Sequence, residues 1–300
     1  MTPLPHPAYY RQPVVRDLAQ LLLGQAPWHT GCELPRPRLL GAHGLTLLAE
    51  LDAQPQPLLN ALAQRPATRR LGRYVEALLH SWCQLAPHCQ DIHANLALRD
   101  GGHTLGEFDL LLRLDGEPWH LELACKYYLV VGRHGEHCVG PNPHDAWQRK
   151  LAKLQQQLRL SRHPLAAQTL PAGWQDCQVG SVLRGQFFYR DTPLALPPLN
   201  PAAPTGWWRP LADPWPGEAD PATRYLHLPR LAWLGPAQRP AHASDLLTAT
   251  TLRPHLAHCD SPQQLAQLQQ TADGDWQECA RGFVAPGAWL ESDMLTLAEV

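Results

Sequence analysis

Lysine is nearly missing from this chain: among its 25 basic residues only Lys126, Lys150 and Lys153 are lysines. Compositional bias is enough to explain that skew, so it is not read as a sign of thermostability or of nucleic-acid binding. Charge of one sign is lacking as well. A formal charge of -2 excludes a molecule coated in positive potential, but it leaves room for a local basic groove. Two stretches offer one: Arg65, Arg69, Arg70 and Arg73, then Arg149, Lys150, Lys153, Arg159 and Arg162. The alternative for both is a solvated surface.

Long hydrophobic runs are also absent. No segment approaches the roughly 20 apolar residues that cross a bilayer. The opening MTPLPHPAYYRQPVVRDLAQLL lacks the basic, apolar, small-residue order of a secretory signal. These absences lead to the expectation of a cytoplasmic protein with no membrane contact. In that setting the 8 cysteines read as free thiols and not as a disulfide framework. A paired C-x-x-C spacing is missing too. Cys83 and Cys89 bracket His88, and His134, His137 and Cys138 crowd before His144, but 16 histidines produce such neighbours by chance.

What is present is enough for one large domain or two modest ones: 300 residues, 44% apolar and 17% charged. The 31 prolines imply stiff connections. VVRDLAQLLL and PLLNALAQ predict short helices. TRRLGRYVEALLHSWCQL predicts a longer one, with Leu71, Val75, Leu78, Leu79 and Trp82 at three- and four-residue spacing. Glu76 lies at the border of that stripe, where a neighbouring cleft would open. DAWQRKLAKLQQQLRL restores helical spacing, with Asp145 as N-cap, Trp147, Leu151, Leu154 and Leu158 on one face, and Lys150, Lys153 and Gln157 on a second. CQVGSVLRGQFFYR and LHLPRLAWL read as strands, residues 191–224 show no period, and residues 261–272 read as a helix.

The stretch GEFDLLLRLDGEPWHLELACK carries the chemistry. Asp-Gly between two apolar segments is a strong hairpin signal. With Asp115 and Gly116 as the turn, Leu114 pairs with Glu117, and Asp109 falls opposite Glu122. Directly opposed carboxylates about 5 Å apart repel each other. A divalent cation between them removes the conflict, because Mg²⁺ is held by one or two carboxylates plus waters and phosphate. Alternation places Glu122, Ala124 and Lys126 on one side, with space above the small Ala124, and Leu121, Leu123, Cys125 and Tyr127 on the other. The competing reading is a solvent-facing strand side, or a register shifted by a bulge at Pro118.

These residues resemble the PD-(D/E)xK nuclease superfamily, the restriction-endonuclease-like fold, over roughly residues 68–160. There a first-helix glutamate precedes a strand carrying an aspartate; the next strand carries an acidic residue and a lysine, and a helix packs behind. Glu76, Asp109, Glu122 and a lysine stand in those places. More closely, LGRYVE…LGEFDLLLRLDG…WHLELACKYYL is similar to the bacterial family of unknown function labelled DUF1853, a resemblance that extends to VVRDLAQLLL and GFVAPGAW.

The resemblance implies an α/β fold, a mixed sheet flanked by helices, with an additional C-terminal α+β region. Residues 1–195 would form the nuclease-like core with its N-terminal helices, and residues 196–300 an accessory region, either separate or packed into the same domain. It implies metal-dependent hydrolysis of DNA or RNA. Asp109 and Glu122 would hold Mg²⁺ or Mn²⁺, Glu76 would support a second ion or a water, and Lys126 would activate the attacking water. Lys150, Gln157, Arg149 and Lys153 would meet backbone phosphate.

One departure stands out. The superfamily lysine follows its acidic partner by two residues, where this chain has Ala124; Lys126 comes two residues later. Four strand residues span about 13 Å, against roughly 6.6 Å for two. Either Lys126 reaches back, or Lys150 takes the role from the helix behind, or catalysis is lost and binding remains. A protein-interaction role, suggested by Trp207, Trp208, Trp215, Trp233 and Phe283, is the remaining alternative.

Overall fold

The computed structural model describes residues 4–132, 137–193 and 197–291. Five helices come first: α1 (Pro13–Leu23), α2 (Arg36–Leu40), α3 (Gly44–Ala53), α4 (Gln56–Ala63) and α5 (Leu71–Leu85). Strands β1 (Cys89–Asp100), β2 (His103–Leu114), β3 (Glu117–Val131) and β4 (His137–Val139) lead into α6 (Trp147–Leu158) and α7 (Ala166–Thr169). The remainder is β5 (Gln178–Tyr189), β6 (Thr205–Pro210), β7 (Arg224–His227), β8 (Gln238–Arg239), α8 (Ala249–Leu256), β9 (Gln263–Gln270), β10 (Trp276–Ala285) and α9 (Gly287–Leu290).

The strands form one mixed sheet in the order β1-β2-β3-β5-β6-β10-β9-β7, with β4 beside β3 and β8 beside β10. β1, β2 and β3 are antiparallel, while β3, β5, β6 and β10 run parallel. Helix α6 lies in the connection from β3 to β5, as a parallel pair requires. The architecture is therefore α/β, a multi-stranded mixed sheet flanked by helices. Sheet and core both continue past residue 196: the largest apolar cluster takes in Val15 and Leu22 from α1, Leu78 and Trp82 from α5, Leu121 and Leu129 from β3, and Phe283 from β10.

The β2–β3 hairpin forms as its turn residues demand. Asp115 and Gly116 both take positive φ, 50° and 83°, as a two-residue turn of this twist requires. Leu114 then pairs with Glu117, and the ladder runs to Leu110 opposite Leu121. Pro118 pairs with Arg113 and introduces no bulge. The side of β3 that carries Leu121, Leu123 and Tyr127 packs into the large cluster beneath α1 and α5. The other side lies beneath α6, whose Leu154 and Leu158 bury Ala124, with Trp147 and Leu151 against the same cluster. The expected space above Ala124 is therefore filled by α6.

Several expectations need correction. Residues 261–272, read as a helix, contain strand β9, paired on both sides by β10 and β7. Gln264, Leu265, Ala266 and Leu268 are wholly buried there, so the sheet's interior overrides the helix preference of a Gln-rich segment. The helix of this region is α8, earlier in the chain. Asp145 is not an N-cap: Ala146 holds that position and α6 has no side-chain cap. Within LHLPRLAWL only the first residues are strand, since a 3-10 turn follows at Arg230–Ala232. Residues 191–224 contain the short strand β6. Trp208, Trp215, Trp233 and Phe283 are core residues and not an exposed patch.

Candidate functional site

β2 and β3 separate where the candidate carboxylates lie. Past Leu110 the backbone ladder stops, and the Asp109 side chain takes over: its Oδ2 accepts the Leu123 N–H at 2.9 Å. Meanwhile β2 stays paired with β1 as far as Asp100 opposite His103, and β3 stays paired with β5. The result is a fork with Asp109 in its crotch and Glu122 facing it, near enough that each carboxyl shifts the other.

Glu122 is 1% exposed, which rules out a solvent-facing strand side. Its Oε1 lies 2.9 Å from His120 Nε2, while its Oε2 is buried with no hydrogen-bond partner among the described residues. Burial pushes the Glu122 carboxyl up from its ordinary value to about 7. Asp109 is pushed to about 7 as well, first by burial and then by the charge of Glu122. Near neutral pH the pair therefore holds about one proton between two carboxyls.

Glu76 reaches the same place from the other face of the sheet. Its carboxyl is raised by burial, held back by an Arg73 ion pair at 2.8 Å, and raised again by Asp109 and Glu107. Asp109 is thus the shared neighbour: its charge raises Glu76, and the charge of Glu122 raises Asp109 in turn. Even so, no group of three or more His, Cys, Asp or Glu side chains close enough to hold one metal ion occurs among the described residues. A two-carboxylate site with an unpartnered oxygen suits a single hard cation whose remaining ligands are water and phosphate. It does not suit an all-protein cage.

The lysines separate clearly. Lys126 is on the expected side of β3, but its Nζ lies 2.5 Å from Asp145 Oδ2 and forms an ion pair there. Lys150, on the first turn of α6, is half-buried; burial lowers its ammonium, and Asp109 and Glu122 draw it back up. Lys153 and Lys150 both lower the Glu122 carboxyl, so each senses that charge. Gln157, one further turn along, has a buried Oε1 without a partner among the described residues. Arg149 turns away and donates to the His144 carbonyl.

A cleft of about 540 Å³ has Glu76 on its wall, while neither Asp109 nor Glu122 lines it. Arg69, Arg70 and Arg73 line it from the start of α5, Arg230 from the C-terminal region, and Lys126 from β3, with Glu76 and Asp145 as its acids. Of the proposed basic residues, Arg65 lies elsewhere, against His80 Nδ1 at 3.1 Å. Arg162 is a structural strut that donates to the carbonyls of Gln175 and Cys177 at 3.1 and 2.9 Å. Helices α1 and α5 are tied to the C-terminal region through Asp17: Tyr74 donates to its Oδ2 at 2.7 Å, and the Gly235 N–H donates to its Oδ1 at 2.8 Å.

Two site residues were not foreseen, His120 and Ser161. His120 is fully buried between Glu122 and the Ser161 hydroxyl, 3.2 Å from its Nδ1. Burial pushes its imidazole down to about 4, so it is neutral. The signal available in the sequence was alternation: a histidine two residues before Glu122 lies on the same side of the strand. Ser161 had no such signal.

All 8 cysteines are free thiols. Cys89 Sγ lies 3.6 Å from His88 Nε2, and Cys83 contacts Cys89, but these residues form no metal group. His134 lies outside the described residues. No helix among the described residues is long and apolar enough to cross a membrane.

Compared with known proteins, the chain matches no curated protein and no solved structure. One family model, described as a domain of unknown function, DUF1853, matches residues 12–285. A match over nearly the whole chain decides the matter of kinship: the protein belongs to the DUF1853 family.

Proposed function

We propose that this chain is a metal-dependent phosphodiesterase of the PD-(D/E)xK type acting on DNA or RNA. The observation that carries the proposal is the buried, facing pair of Asp109 and Glu122 at the β2–β3 fork, with Glu122 Oε2 unpartnered. Once the pair loses its proton, two like charges buried together are costly unless something positive resolves them. Mg²⁺ or Mn²⁺ bound by this pair would supply charge neutralisation at the scissile phosphate and a water made acidic by the ion.

The chain's own groups would do the rest. Asp109, fixed by the Leu123 N–H, and Glu122, fixed by His120, hold the binding oxygens in place. Lys150 would take the part that the superfamily gives to the strand lysine: its ammonium senses the charge of both carboxylates, whereas Lys126 is occupied by Asp145. A positive group there steadies charge developing on phosphate. Glu76 stands between the fork and the cleft, placed to orient a water. Arg69, Arg70 and Arg230 would offer guanidinium groups along the cleft to a phosphate backbone, while Lys153 and Gln157, on α6, lie outside its lining.

The decisive experiment is cleavage of single-stranded, duplex and branched DNA and RNA with Mn²⁺, comparing the parent with Asp109→Asn. Metal-dependent cleavage lost in the variant supports the reading; a parent inert on every substrate refutes it. A second reading, a nucleic-acid-binding module that has lost catalysis, is favoured by the lack of a three-ligand group among the described residues. It predicts binding that survives both chelation and Glu122→Gln.

A further inference from the structure

We infer that His120 is a positioning residue: it holds Glu122 Oε1 so that Oε2 alone is presented at the fork to a divalent cation. The inference rests on reading the fork as a metal site and names the device that would orient one of its ligands.

The geometry is a short buried line. Ser161 Oγ lies 3.2 Å from His120 Nδ1, and His120 Nε2 lies 2.9 Å from Glu122 Oε1. A neutral imidazole has one N–H and one lone pair. When Glu122 is ionised, as it is with a cation on Oε2, its carboxylate can only accept, so Nε2 carries the hydrogen and Nδ1 accepts from the Ser161 hydroxyl. This fixes both the tautomer and the carboxylate's rotation. The imidazole cannot turn away, because Phe108 meets it edge-on at 4.9 Å between ring centres. Ser161 is equally constrained, being in the 3-10 turn Leu160–Arg162, whose Arg162 anchors to two backbone carbonyls. The charged groups facing His120 are Asp109 from β2, Glu122 from its own strand and Arg162 from that turn.

A purely structural hydrogen bond would leave no reason for the second oxygen. Here one oxygen of a 1% exposed carboxylate is satisfied and the other is buried with no partner among the described residues. Partners of this kind behind a metal ligand fix its orientation and raise its affinity.

Three measurements test the inference. ¹⁵N NMR of the Mg²⁺-loaded parent protein at pH 8, where Glu122 is ionised, should show His120 as the neutral Nε2–H tautomer; an Nδ1–H tautomer overturns the inference. Mn²⁺ affinity, read by electron paramagnetic resonance, should fall about 10–100-fold in His120→Phe, which keeps ring volume but donates nothing. His120→Gln, whose amide can still donate, should recover part of the loss. An unchanged affinity in His120→Phe overturns the positioning role alone. A parent that binds no Mn²⁺ at millimolar concentration overturns the metal site, and the positioning role with it. A His120→Gln protein that is folded by circular dichroism yet binds as weakly as His120→Phe also counts against the hydrogen bond.

Discussion

Replacing Glu122 with glutamine should make the protein more stable at pH 8 and leave it unchanged near pH 4. The Glu122 carboxyl is raised from 4.5 to about 7 in the folded state. Below its unfolded value both states hold the proton, and the site imposes no penalty. Between 4.5 and about 7 the unfolded carboxyl releases its proton while the buried one keeps it, so stability falls across that window and is level above it. At 1.36 kcal/mol per pH unit, a rise of this size corresponds to about 3 kcal/mol for an isolated carboxyl. Because Glu122 shares its proton with Asp109, about 2–3 kcal/mol is the expected gain for the variant at pH 8. Glutamine preserves the shape, its amide oxygen can still accept from His120, and its N–H₂ can face Asp109. For a chain of 300 residues the gain corresponds to roughly 3–5 °C in melting temperature. Thermal unfolding of parent and variant at pH 4, 6 and 8, with and without Mn²⁺, measures it. Mn²⁺ should stabilise only the parent and narrow the gap. Equal melting temperatures at pH 8, or the same gap at every pH, would refute the account of this pair as a buried charge conflict.

Lys150→Met should reduce cleavage by about 100-fold or more, while Lys126→Met should cost less than about 10-fold, as single-turnover rates would show. Replacing Arg69 and Arg70 with serine should weaken binding uniformly across sequences. It should also flatten the plot of log affinity against log salt by about 1.8 for duplex DNA if both guanidiniums meet phosphate, measured by fluorescence anisotropy. Gly185→Ala should destabilise the fold by more than about 1 kcal/mol in urea unfolding. Gly185 sits at φ +117°, and a Cβ there would stand 1.7 Å from the Lys126 carbonyl oxygen.

The sequence was legible wherever a local rule and the global fold agreed. Asp115-Gly116 could be read because both positions need positive φ and the flanking segments are apolar. From that turn the register followed by counting, and it delivered the facing pair. Helices α5 and α6 could be read from their apolar spacing. β9 could not: QQLAQLQQ carries no alternation, because an interior strand buries both faces, including Gln264. α8 was hidden by Pro254 inside it and by its threonines. The line from Ser161 to His120 joins residues 41 positions apart and exists only once α6 has folded back over β3. The ion pair between Lys126 and Asp145 is likewise tertiary, and it reassigns both residues at once.

The fork has a further consequence for how the two layers of the molecule communicate. A continuous sheet is a wall: its hydrogen-bonded strands keep side chains on one face from meeting those on the other. Where β2 leaves β3, that wall has a window, and Asp109 sits in its frame with its hinge bolted to the Leu123 N–H. Glu76 and the arginine cleft look in from one side. Lys150, His120 and Ser161 close the other. A long polymer threaded along the cleft would then present one phosphate to the window without entering the core, and the helix behind would act as its back plate.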